Sequence, residues 1–132
     1  MHGLKWLLRL KIALTAVCWC LPLIAFPPAW FTALGMPAPE PLLIARLLGA
    51  AYLAMLVGYY HGLKTINAGV APLPAIEVGI ASNGLAGALL LWFGITGGWS
   101  QWGVGAQAFM WVSTTGAVSI AMALVWFRQR LA

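Results

Sequence analysis

Four apolar stretches, each close to the length needed to cross a bilayer and joined by short loops, account for nearly all of this chain. A hydrocarbon core of roughly 30 Å takes about 20 helical residues to cross, and the four windows are Leu7–Phe26, Pro41–Tyr60, Ile76–Ile95 and Ala108–Phe127. In lipid, backbone amides must be bonded within their own segment or within a closed barrel, and these continuous apolar runs lack the alternation of barrel strands. The expected fold class is therefore an all-α membrane protein. Four transmembrane helices in an antiparallel up-down bundle would form one domain over residues 1–132. With 63% apolar and 7% charged residues, the composition excludes an ordinary water-soluble domain.

Topology follows from the seven basic residues. Lys5, Arg9 and Lys11 precede or open the first span, Lys64 falls in the second loop, and Arg128 and Arg130 close the chain. The regions Pro27–Glu40 and Thr96–Gln107 carry no Lys or Arg, so the positive-inside rule places both termini in the cytoplasm. Basic residues dispersed at membrane ends form no nucleic-acid patch. The first segment starts like a signal peptide, but Cys18, Trp19, Cys20 and the Pro27-Pro28 pair stand in place of a small-x-small cleavage pattern, so it is expected to be retained.

Trp6, Trp30, Trp92, Trp99, Trp102 and Trp126 lie near the predicted membrane boundaries, where an indole buries its ring and still hydrogen-bonds. In the first outer loop, prolines close both ends of Ala29–Met36, which predicts a short interfacial helix with Trp30, Phe31 and Leu34 on one face. The loop Gly62–Ala75 contains Asn67, Gly69, Pro72 and Pro74 and reads as a turn region.

Lipid tails supply no hydrophobic drive for helix association, so small residues that permit close approach must supply it. Ala50, Ala54 and Gly58 recur every four residues in the second span, beside the pair Ala45 and Gly49. Gly79, Asn83 and Gly87 stack in the third, and Ser113, Ala117 and Ala121 in the fourth. These stripes are expected to face protein. Asn83 belongs inside the bundle, as helix-helix glue or as a ligand contact, because an unpaired carboxamide in hydrocarbon costs several kcal/mol.

Arg46 is the most unusual residue. At about 1.5 Å per residue it lies roughly 8 Å below the outer end of the second span, where a cation needs compensation. Ser113, Thr114 and Thr115 fall at a similar depth and Glu40 just above. Two readings are open: a polar pocket of Arg46, Tyr52, Ser113 and Thr114 for a quinone carbonyl or lipid head group, or snorkelling of Arg46 to phosphates or Glu40. On the cytoplasmic side, His61 and Glu77 lie at one level, and with Asn83 they mark a polar path or, more simply, an interfacial ion pair.

Cys18 and Cys20 are two residues apart on a helix and point about 200° away from each other, so they neither bridge nor share a metal. Two His and two acidic residues make no metal cluster. The chain contains no P-loop, G-x-G-x-x-G, H-E-x-x-H, C-x-x-C-H or G-x-S-x-G motif. No catalytic residue and no resident cofactor is expected.

The second span reads Arg46-Leu-Leu-Gly49, then Ala50, Ala51, Leu53 and Gly58, after a Pro-rich outer loop with Gly35 and Pro37. With the four-helix layout and the length, this resembles the DoxX-like group of small bacterial membrane proteins. The resemblance implies a four-helix inner-membrane bundle, linked in some members to quinone-coupled thiosulfate oxidation or redox-stress assemblies, and carries over Arg46 and Gly49 alone. Three functions remain open from sequence. The first is a non-catalytic accessory subunit of a larger respiratory, photosynthetic or oxidase complex, touching lipids and other transmembrane subunits. The second is a quinone-linked oxidoreductase membrane subunit, and the third a small carrier or channel.

Overall fold

The computed structural model describes residues 1–131, and among them every regular element is helical. Helix α1 runs over His2–Ala25 with a π-helical turn at Ala16–Cys20. A short helix α2 covers Pro28–Ala33, followed by α3 (Leu42–Asn67), α4 (Leu73–Ile95) and α5 (Val104–Leu131). Four of them, α1, α3, α4 and α5, are long and apolar enough to cross a membrane.

These helices outrun the apolar windows that predict them. Hydropathy marks the part of a helix that suits lipid, whereas backbone hydrogen bonding continues until a residue stops it. Prolines supply the starts, with Pro28 opening α2, Pro41 before α3, and Pro72 and Pro74 at the head of α4. Glycine supplies the stops. Gly35 and Gly69 adopt positive φ just past α2 and α3, where Met36 N–H bonds Phe31 O and Val70 N–H bonds Thr65 O, both at 3.0–3.1 Å. The predicted turn region Gly62–Ala75 is thereby shortened: α3 persists to Asn67, and Gly62 is buried inside it against Ala75 of α4.

The interior is small and the exterior greasy. Between 11% and 22% of each apolar window is buried, so most of the apolar side chains point outward, the reverse of a water-soluble bundle. Leu85, Trp92, Ile95, Val112 and Met122 are among the large apolar residues left exposed. The core gathers Leu4, Leu8, Leu56, Tyr59, Ile76 and Leu124. Helix α4 packs most extensively against α5, and α1 against α3.

Small residues make the close seams. A Cβ at Gly87 would lie 2.9 Å from Val118 Cγ2 and 3.3 Å from the Val118 amide nitrogen. At Gly49 it would meet Ile24 Cγ1 at 2.7 Å and Leu23 Cβ at 2.9 Å. Gly79 is likewise buried, against Leu124, and Ala117 and Ala121 are half-buried. The stripe of Ala50, Ala54 and Gly58 departs from expectation. All three are exposed, and a Cβ at Gly58 would meet nothing within 4 Å. A four-residue spacing defines a face of a helix but not its direction, and Gly49, Leu56 and Tyr59 turn the other face of α3 inward.

The loops after α2 and α4 are clasped together. Gly103 N–H donates to Gly35 O at 2.9 Å, and a Cβ on Gly35, whose φ is +81°, would sit 2.9 Å from Gly103 Cα. Phe31 of α2 is buried while Trp30 and Leu34 are exposed, so the predicted face of α2 is split between protein and surroundings.

Gly87→Leu is expected to destabilise the fold by about 1–3 kcal/mol through overpacking, whereas Gly84→Leu, where a Cβ meets nothing within 4 Å, should stay within about 0.5 kcal/mol. Unfolding in mixed micelles by titration with sodium dodecyl sulfate, followed by circular dichroism, compares the two.

Candidate functional site

Residues about 1.5 Å apart along their helix axes reach a common level when counted from neighbouring ends. Lys11 lies nine residues from the start of α1, Tyr59 eight from the end of α3, and Ser82 nine from the start of α4. They meet in the interior. Together with Thr15, Tyr52, Asn83 and Ser113 they line a cavity of about 310 Å³. The rest of its wall is apolar, including Leu48, Met55, Leu89 and Leu90.

Lys11 is the exceptional member, with 5% of its surface exposed. Its Nζ sits 4.5 Å from the centroid of the Tyr59 ring, a cation-π contact. The Tyr59 and Ser82 hydroxyls are 2.9 Å apart, and Asn83 Nδ2 donates to Gly79 O at 2.6 Å. The first bond ties α3 to α4 and the second stays within α4, so the α3–α4 side of the cavity is held in one arrangement.

A second cavity of about 500 Å³ is almost wholly apolar and lies beneath the clasped loops, with Phe26, Phe31, Leu34 and Phe109 among its walls. Trp19 and Met110 line both cavities and form the partition between them. Trp19 stands edge-on to Tyr52 at 6.1 Å and tilted on Phe109 at 5.6 Å. It lies in the π-helical turn, three residues before Pro22, which lacks the N–H that would bond the Cys18 carbonyl. The two cysteines part company there, Cys18 lining the apolar cavity and Cys20 entering the core.

Arg46 has a different task from the one expected of it. Its Nη1 donates to Leu23 O at 2.7 Å and its Nη2 to Phe26 O at 2.6 Å. Leu23 O would ordinarily accept from residue 27, but Pro27 has no N–H. The guanidinium therefore caps the end of α1 from a neighbouring helix, and it lines neither cavity. Of the predicted head-group set, Tyr52 and Ser113 reach the polar cavity. Thr114 does not: it is buried with its hydroxyl on Met110 O at 2.8 Å.

The predicted polar path is also divided. Asn83 faces the polar cavity, while His61 is exposed on α3 and Glu77 is exposed on α4. Glu77 Oε1 accepts from Arg128 Nε at 3.2 Å, an exposed pair that joins α4 to α5. Among the described residues no three His, Cys, Asp or Glu side chains converge. Trp99 departs from the belt, being 5% exposed with an indole N–H that finds no acceptor, whereas Trp6, Trp30, Trp92 and Trp126 are exposed.

Sequence reasoning missed Lys11 by counting it with the topology cations, and did not single out Tyr59 or Ser82. A signal existed. Leu4, Leu8, Lys11 and Thr15 share one helical stripe, so a lysine occupies the face that its apolar neighbours bury. No protein-family model, curated protein or solved structure matches this chain.

Arg46→Leu strips two carbonyls of their donors and should cost about 1–3 kcal/mol of stability, with Arg46→Lys intermediate. Glu40→Gln should leave the same denaturation midpoint unchanged, which separates capping of α1 from an ion pair with Glu40.

Proposed function

We propose that this chain is a non-catalytic, multi-pass subunit of the bacterial inner membrane that packs as an accessory or structural element in a larger membrane assembly. The carrying observation is the outward face of α3. Ala50, Ala54 and Gly58 line up on the exterior, all three exposed, and a Cβ at Gly58 would meet nothing within 4 Å among the described residues. Small residues in that arrangement let a helix of another subunit approach closely, which is how transmembrane helices associate without a hydrophobic drive. On this reading lipids cover the remaining apolar surface.

The antiparallel, N-in and C-in arrangement is supported by two kinds of observation. The α4–α5 contacts pair Gly79 with Leu124, Gly87 with Val118 and Gly94 with Trp111, so residue numbers rise on one helix as they fall on the other. Five of the seven basic residues, Lys5, Arg9, Lys64, Arg128 and Arg130, fall near the termini or in the last turn of α3, leaving Arg46 and the buried Lys11 aside. The bacterial location leans on the DoxX-like resemblance.

A quinone-linked membrane subunit is the second reading, favoured by the cavity that Tyr52 and Ser113 share. Its site would be narrower than the sequence suggests, since Arg46 and Thr114 lie apart from it.

The accessory reading is tested by purification in a mild detergent. The native chain should come down with other transmembrane polypeptides. Gly58→Leu should lose them while its own denaturation midpoint and helicity stay unchanged. A native chain that runs alone, or a Gly58→Leu variant that keeps every partner, overturns the reading.

A further inference from the structure

A charge this deep in an apolar bundle is costly unless it is paired, and among the described residues no carboxylate stands beside it. The chain has two acidic residues in all. Glu40 is exposed beside Pro41, and Glu77 is paired with Arg128, so neither lines the Lys11 cavity. The hydrogen bonds of the cavity run between Tyr59 and Ser82 and from Asn83 to Gly79. The side chains of Lys11, Thr15, Tyr52 and Ser113 are left with no hydrogen-bond partner among the described residues. The face of Tyr59 steadies the ammonium but brings no negative charge.

We propose that this cavity binds a small amphipathic monoanion, a carboxylate on an apolar body of about benzoate size, with Lys11 as its counter-ion. The Lys11 ammonium can only donate, and the unpaired hydroxyls can donate as well as accept, which suits an acceptor head. A single cation matches a single negative charge, and a second cation is absent from the lining. The apolar part of the lining, with Leu48 and Met55 of α3 and Leu89 and Leu90 of α4, suits an apolar body, and about 310 Å³ is at the small end of ligand pockets. A cationic ligand would meet Lys11 as a like charge. A neutral one would leave the ammonium without a partner. Trp19 and Met110 stand between this site and the apolar cavity under the loops, so the path to it from that side passes the π-helical turn of α1. The inference goes beyond the subunit reading and does not depend on it.

Fluorine NMR of 4-fluorobenzoate, with the full chain in zwitterionic micelles and empty micelles as blank, reads the binding directly. Saturable binding is expected, and Lys11→Met should weaken it by at least about tenfold. Arg9→Met removes an exposed cation two residues away and should leave it unchanged. Ala86→Phe fills the cavity without altering charge and should also abolish binding, which keeps the test open if Lys11→Met does not fold. Neutral 4-fluorobenzyl alcohol and decylubiquinone should not compete. The proposal is overturned by absence of saturable binding, by equal binding to Lys11→Met, by an equal loss in Arg9→Met, or by competition from either neutral compound.

Discussion

In hydrocarbon an unpaired backbone amide or carbonyl has no water to turn to and costs several kcal/mol, and the architecture of this chain is arranged around that cost. Long helices satisfy their own interiors, so the expensive places are the ends and the prolines. Pro27 deprives Leu23 O of its donor just where α1 leaves the membrane-spanning stretch, and Arg46 of α3 provides two N–H groups in its place. The residue that looks most out of place in the sequence is thus compensated by the defect in its neighbour. Glycines past α2 and α3 serve the same need, turning the chain so that loop N–H groups reach back to the last helical carbonyls.

Packing follows a second rule of the lipid setting. Leucine gains nothing by leaving acyl chains for another leucine, so seams form where backbones approach closely. Gly87 on Val118 and Gly49 on Leu23 and Ile24 are such places. The Gly35–Gly103 clasp extends the principle to the loops, where two backbones touch and roof an apolar cavity. The outward stripe of Ala50, Ala54 and Gly58 has the same chemistry and is exposed among the described residues, which ties the fold to the proposed association with other subunits.

The polar cavity runs against both rules, since it places a lysine, a threonine, two tyrosines, an asparagine and two serines where apolar contacts would be cheaper. Removing such groups from solvent is costly unless they are paired. Part of the set is paired, through the Tyr59–Ser82 and Asn83–Gly79 bonds, while Lys11 relies on an aromatic face.

The number of spans, their helical nature and the inward placement of Asn83 were legible in residue order, because hydropathy and backbone satisfaction act along one segment at a time. So was the anomaly of Arg46, although its carbonyl partners were not, because they lie 20 and 23 residues away and become adjacent only when α1 packs on α3. Facing was the harder question. A four-residue stripe of small side chains reads alike whether it points in or out, and Ala50, Ala54 and Gly58 point out because Leu56 and Tyr59 claim the interior side of α3. Lys11 reads as one more terminal cation until α3, α4 and α5 close around it. Sequence alone determined the solvent this chain is built for and the elements that satisfy it; tertiary structure decided which polar groups meet, because depth and azimuth on separate helices are set only when those helices pack.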